Sequence, residues 1–265
     1  MVYPFALTGD LPGHWGAVTS SVDWCERNYA LSPLVAELFN TLSSLAMVAV
    51  GVVGLALHRR VLERRFLAAF ALLALVGLGS AAFHASLRFE LQMLDELPML
   101  YLVILMVYVL VERGPRRRFG AGFPALLIAY AVLVTFLNAR TRGPLQFWVF
   151  QLSFGSLELY CLASVWALQR RASAPAVRRL FRLGMGAYAL AILLWFTDVR
   201  ACTFLSVTLP AHGLFNPQLH AVWHVLVSCG FYALLLVIAH ERLVALGRAP
   251  RLERVGGLLP RLRAG

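Results

Sequence analysis

The chain has 265 residues, 60% of them hydrophobic and only 14% charged, with a mean hydropathy of +0.73. Soluble domains run at roughly 45–50% apolar and about 25% charged, so the composition excludes an ordinary soluble domain and points to an integral membrane protein. The formal charge of +11 does not describe a nucleic-acid surface, because the 24 basic residues, all arginine, fall in short clusters between apolar runs. Membrane topology accounts for that placement.

Residues 1–32 are polar and rich in turn formers, with Thr8-Gly9-Asp10 and Pro12-Gly13, and end in Asp23-Trp24-Cys25-Glu26-Arg27-Asn28. They lack the basic-then-apolar pattern of a secretory signal. Apolar runs follow at about 33–57, 65–87, 92–111, 121–138, 146–168, 180–198 and 218–242. Each is near the roughly 20 residues that a helix needs to cross a bilayer. The runs predict an all-α fold, a seven-transmembrane helix bundle over 33–245, between an outer segment at 1–32 and an Arg-rich tail at 246–265. Nineteen arginines lie after the first, third and fifth runs and in the tail, against five elsewhere (Arg27, Arg88, Arg140, Arg142 and Arg200). That asymmetry puts the N-terminus outside and the C-terminus in the cytoplasm.

The same topology gathers polar residues into one outer layer. His84 falls near the outer end of the second run, Asp95 at the outer start of the third, Asp198 at the outer end of the sixth, and His220 and His224 at the outer start of the seventh. Ser80 and His84 share a helix face through their four-residue spacing, as do His220 and His224. Ionisable groups in apolar segments are costly to hold, and their recurrence at helical spacing marks a site. Three histidines from two helices with a fourth position open is the composition of a catalytic zinc site. The competing reading is a set of hydrogen-bonded bundle histidines. His14, His58, His212 and His240 have no such company and read as loop or helix-end residues.

Asp23, Glu26, Asn28 and Glu37 offer hard oxygen donors that suit calcium better than zinc. Their spacing alone fits solvated loop acids better, although Glu37, just inside an apolar helix, calls for a partner. Cys25 and Cys202 both fall in outer segments, where they form either a disulfide or two free thiols. Cys161 and Cys229, within helices, read as small apolar packing residues. Glu158 lies in the middle of the fifth run, and pairing within the bundle is its simplest explanation.

Five pieces together carry a resemblance: Asp23-Trp24-Cys25-Glu26-x-Asn28 with Glu37-x-x-Asn40, Ser80-x-x-x-His84, Gln92-Met93-Leu94-Asp95-Glu96-x-Pro98-Met99, and His220-Ala221-x-Trp223-His224. In these the chain resembles the alkaline ceramidases, seven-helix membrane hydrolases grouped with the adiponectin receptors. The resemblance implies zinc held by His84, His220 and His224, with Ser80 steadying the attacking water or the developing oxyanion and Asp95 as general base and proton shuttle. It implies calcium held by Asp23, the Trp24 carbonyl, Glu26, Asn28 and Glu37, a Cys25–Cys202 disulfide, and Trp223 in the substrate pocket. The implied substrate is a ceramide-like N-acyl sphingoid lipid, drawn from the membrane and cleaved to a fatty acid and a sphingoid base. Rival readings are a hydrolase of another N-acyl or ester lipid, a non-enzymatic zinc-containing lipid receptor, and a transporter. The Arg-only basic set and short loops favour a bacterial inner membrane with the site facing the periplasm; in a eukaryote that side is the endoplasmic reticulum or Golgi lumen. Nothing in the residues indicates an oligomeric state.

Overall fold

Apolar runs rich in Leu, Ala, Val and Phe satisfy their backbone groups internally by forming helices, as a bilayer requires. The computed structural model describes residues 13–170 and 174–263, so Thr8-Gly9-Asp10 and Pro12 of the expected turn-rich segment lie outside the described residues. Seven long helices are present among the described residues: α1 (Leu38–His58), α2 (Arg64–Ser86), α3 (Phe89–Val111), α4 (Gly122–Arg140), α5 (Gly143–Gln169), α6 (Pro175–Arg200) and α7 (Leu219–Ala245). Six of them are long and apolar enough to cross a membrane, and the chain is a mostly helical, multi-pass membrane protein. The exception is α5, whose apolar character is diluted by Gln146, Gln151, Ser153, Ser156 and Glu158. Between α6 and α7 the chain makes a π-helical turn at Phe204–Thr208 and a short helical turn at Leu209–Ala211.

The core lies along α2, α3 and α7. Near the C-terminal end of α2 a single glycine sets the spacing. A Cβ on Gly79 would stand 1.9 Å from the Leu94 carbonyl oxygen of α3. Only the missing side chain lets the two backbones approach there, which brings Ser80 of α2 alongside Asp95 of α3.

The segment before α1 lies across the end of the bundle that carries His84 and His220. The Thr19 and Ser20 N–H groups both donate to the Leu87 carbonyl at 3.1 Å, and the Ser21 N–H donates to Gln92 Oε1 at 2.7 Å. Val22, Trp24 and Tyr29 pack on Phe83, Leu87 and Phe147. A disulfide joins Cys25 to Cys202 and so fastens this segment to the chain after α6. Cys161 is buried as expected, but Cys229 is exposed on the outward face of α7 and is not a core packing residue.

The tail departs from the all-α expectation. Arg251–Val255 (β1) and Leu259–Arg263 (β2) form an antiparallel hairpin. Its turn holds Gly256 and Gly257, both at positive φ (59° and 76°), a conformation that glycine adopts without steric cost. Leu262 is fully buried, its N–H donates to His58 Nε2 at 3.2 Å, and the Tyr232 hydroxyl donates to the Pro260 carbonyl at 2.7 Å. His58 is the helix-end residue expected, the last of α1, and is fully buried there as an anchor for the hairpin.

Candidate metal centre and lipid cleft

Helical spacing on α2 and α7 delivers three imidazoles to one point. The candidate ligand atoms of His84, His220 and His224 lie within 4.8 Å of one another, and all three residues are buried. Neighbouring groups set which nitrogens face inward. His84 Nδ1–H donates to Glu37 Oε2 in a short hydrogen bond, which leaves His84 Nε2 buried without a partner. Ser43 Oγ donates to the Asn40 carbonyl at 3.1 Å, so it accepts from His224 Nδ1–H at 2.8 Å and leaves His224 Nε2 free as a donor atom. His220 Nδ1 is also buried without a partner among the described residues. The His220 ring is held between two indoles, Trp24 at 3.8 Å and 17° and Trp223 at 5.0 Å and 22°. Three clustered imidazoles, two with an orphaned nitrogen and two with the other nitrogen fixed by an acceptor, match a divalent, borderline-soft cation such as zinc.

Ser80 sits beside this cluster. Its Oγ lies 3.5 Å from His224 Nε2 and 3.0 Å from Ser44 Oγ, and its hydroxyl is hydrogen-bonded to the Asp95 carboxylate. Glu96, next in sequence, has a separate occupation: Gln92 Nε2 donates to its Oε1 at 2.8 Å, and Gln146 Nε2 donates to its Oε2. Of the two adjacent acids, Asp95 is the one turned toward the imidazoles through Ser80.

An oxygen-rich cradle adjoins the cluster. Asp23, Glu26, Asn28 and Glu37 are all buried, at 4%, 5%, 2% and 0% exposure, which rules out solvated loop acids. Asn28 Nδ2 donates to both Asp23 carboxylate oxygens, at 3.1 and 3.0 Å, while Asn28 Oδ1 has no partner. Glu26 accepts the Phe39 and Asn40 N–H groups at 2.8 and 2.9 Å, and so caps the first turn of α1. Glu37 Oε1 accepts the Trp24 N–H at 2.9 Å, and its Oε2 accepts Asn40 Nδ2 at 3.2 Å as well as His84. Burial pushes the Asp23 carboxyl up to about 8, with the nearby Glu37 charge adding to it. Burial likewise raises Glu26 to about 7 and Glu37 to about 8. Three buried acids and an orphaned amide oxygen fit a hard cation, whose charge offsets what burial costs the carboxylates.

A cleft leads away from this layer, lined by Asp95, Glu96, His220, Trp24 and Trp223 at one end and by α5 and α6 along its length. Its rim residues Leu159, Ile192 and Phe196 are exposed on the lipid-facing surface. Met99, Phe154, Glu158 and Trp223 also line a deeper, narrow apolar cavity among α1, α2, α3, α5, α6 and α7. Glu158 meets the Tyr188 hydroxyl of α6, the pairing within the bundle that its mid-helix position called for. Such a space suits a molecule with a small polar head and long apolar chains.

The structure thus brings His84, His220, His224, Ser80, Asp95 and Trp223 to one place, and Asp23, Trp24, Glu26, Asn28 and Glu37 to the place beside it. The two sites share Glu37. Sequence reasoning quoted Asn40 without giving it a role and missed Ser43 and Ser44, although Glu37, Asn40 and Ser44 stand at i, i+3 and i+7, one face of a helix. Asp198 is also buried. Its carboxylate accepts the Cys25 N–H at 3.4 Å and the backbone N–H of His220.

Comparison with known proteins agrees with this arrangement. A family model described as Ceramidase matches residues 16–255. Alkaline ceramidase 3 of Mus musculus is 32% identical, over 95% of this chain and 94% of its own length. An alkaline ceramidase of Arabidopsis thaliana is 28% identical over 96% of each chain, and alkaline ceramidase 1 of Homo sapiens is 29% identical over 83% of this chain and 82% of its own. With nearly the whole bundle and both clusters inside the matched region, the chain belongs to the ceramidase family.

Proposed function

We propose that this hydrolase cleaves the amide bond of ceramide-like N-acyl sphingoid lipids within the membrane, with zinc as its catalytic metal and calcium as a structural or regulatory ion. The observation that carries the reading is the set of three buried imidazoles, two of them with an unpaired nitrogen, beside the Ser80–Asp95 pair, at the head of a cleft that opens toward lipid. The names of the relatives supply the substrate class.

Zinc bound by His84, His220 and His224 would supply Lewis acidity, polarising the acyl carbonyl and making a water nucleophilic near neutral pH. Asp95 accepts the proton of the attacking water and delivers it to the leaving nitrogen, so amide and water become carboxylic acid and amine. The Ser80 hydroxyl orients Asp95 and then donates to the tetrahedral oxyanion, a contribution of about 2.7–4 kcal/mol where such a donor has been removed from a hydrolase. The cleft between α5 and α6 admits the lipid sideways, and the deep cavity houses a chain. Asp23, the Trp24 carbonyl, Glu26, Asn28 and Glu37 hold calcium, and Glu37 relays the state of that site to His84. In this reading α5 is the seventh span, packed where its Gln146 and Glu158 find partners. The arginine asymmetry sets the N-terminus and the metal layer on the outer side, periplasmic in a bacterium.

The test is hydrolysis of a ceramide panel by the purified protein, with metal content measured on the same sample. About one zinc per chain, with fatty acid released and both lost in His220→Ala, supports the proposal. Zinc without release from any ceramide redirects the site to other lipids, and no zinc sinks the metal assignment.

A further inference from the structure

The calcium reading uses Trp24 only through its carbonyl, but its indole lies in the wall of the cleft that holds Asp95, Glu96 and His220. Trp24 is 8% exposed, and its Nε1–H has no hydrogen-bond partner among the described residues. A buried indole N–H ordinarily finds an acceptor, because burying one unpaired forfeits its hydration. The ring cannot turn easily to seek one. It is stacked on His220 with centroids 3.8 Å apart, Trp195 stands edge-on at 6.3 Å, and its own backbone N–H is held by Glu37 Oε1 at 2.9 Å. A fixed donor left without an acceptor beside a binding cleft is the feature by which a site demands an oxygen on its ligand.

On the hydrolase reading, on which this inference rests, the oxygens of the substrate can be assigned by elimination. The amide oxygen belongs to the reacting centre beside Ser80 and the imidazoles. The chains belong to the apolar cavity beyond Met99 and Phe154. The oxygens left over in an N-acyl amino alcohol are the hydroxyls on carbons neighbouring the one that bears nitrogen. Those hydroxyls sit next to the scissile bond, under the outer segment that carries Trp24. We infer that the Trp24 indole N–H is a specificity-determining donor to a hydroxyl oxygen on the amino-alcohol half of the lipid, so that the cleft selects N-acyl amino alcohols over N-acyl amines lacking that hydroxyl.

The experiment is a cycle of protein and substrate changes with the full-length purified chain. The value of kcat/KM is measured for wild type and Trp24→Phe on ceramide and on ceramides lacking the 1- or the 3-hydroxyl, and zinc content is measured on each sample. Wild type should lose roughly tenfold on one of the two deoxy substrates, the worth of one hydrogen bond. Trp24→Phe should lose about the same on ceramide and nothing further on that deoxy substrate, with zinc content unchanged. If Trp24→Phe does not fold, replacement of Trp24 by 3-benzothienylalanine keeps the two-ring shape and removes only the N–H. Equal losses on hydroxylated and deoxy substrates, or no loss at all, overturn the inference and leave the indole as packing with a trapped water on its N–H. Failure of wild type to hydrolyse any amide overturns the hydrolase reading, and this inference with it.

Discussion

Asp95 and Glu37 are both acids of the buried polar layer, and their partners give them different work. Asp95 is hydrogen-bonded to Ser80 and touches no imidazole, so its proton is free to move. Glu37 accepts hydrogen bonds from Trp24, Asn40 and His84 and is fully buried, so its oxygens are committed to holding other groups. Asp95→Asn preserves shape and the contact to Ser80 but removes the base. Turnover should fall by about 10²-fold or more with zinc content unchanged, as paired assay and metal analysis would show. Glu37→Gln should instead weaken zinc binding by about 10–100-fold, the usual cost of losing the group that orients a ligating histidine, and weaken calcium binding with it. Chelator competition reads both affinities. Unchanged zinc affinity would mean that Glu37 serves the oxygen cradle alone. The histidines and Ser80 were legible in the sequence because i, i+4 spacing puts them on one face of a helix. The second role of Glu37 was not, because it depends on the angle at which α1 and α2 cross, which no local pattern encodes.

Elements, too, hold the site from a distance. The first two turns of α7 carry His220 and His224, yet the helix's cap residue Gln218 is left-handed, at φ 54°, and offers no side-chain cap. The missing acceptor comes from the last turn of α6, where Asp198 takes the His220 N–H along with that of Cys25. Asp198→Ala strands two buried donors and should cost about 1–3 kcal/mol for each, whereas Asp198→Asn keeps an oxygen there and should recover most of the loss. Thermal unfolding in detergent and zinc retention check this; equal damage from the two variants would rule out the capping role. A parallel case is Gly79→Ala. Its new Cβ meets the Leu94 carbonyl and must push α2 from α3, separating Ser80 from Asp95. Activity should drop far more than zinc content. At this scale the helices were readable because hydrophobic runs of bilayer length have few alternatives. The tail hairpin was not, since two five-residue strands rich in arginine carry little apolar periodicity, and Leu262 acquires its burial only from α1 and α7. Cys229 was misread for a related reason: within a membrane an apolar face may look to lipid rather than to the core.

At the scale of the whole molecule, the outer segment, the disulfide and the first turn of α1 converge on the oxygen cradle, so the protonation state of that cradle bears on stability. Asp23, Glu26 and Glu37 are raised by burial to about 8, about 7 and about 8, against ordinary carboxylate values near 4. Between those limits the folded, cation-free protein holds protons that the unfolded chain has released. The stability these groups contribute is therefore fully present below about pH 4 and is lost as pH rises through about 7–8. A calcium ion changes the sign of the problem. It stabilises the carboxylates and displaces their protons, so its affinity rises over the same window in which the cation-free protein weakens. In chelator the thermal midpoint should fall from about pH 6 to about pH 9, and the upward shift on adding calcium should grow over that range, with protons released on binding. A calcium-induced shift equal at both ends would mean that calcium does not bind these acids. A growing shift, lost in Asp23→Asn, would make the cradle the element that holds the outer segment on the bundle when its acids are ionised. Because Glu37 also orients His84, the zinc centre should then gain order from calcium most strongly in mildly alkaline solution.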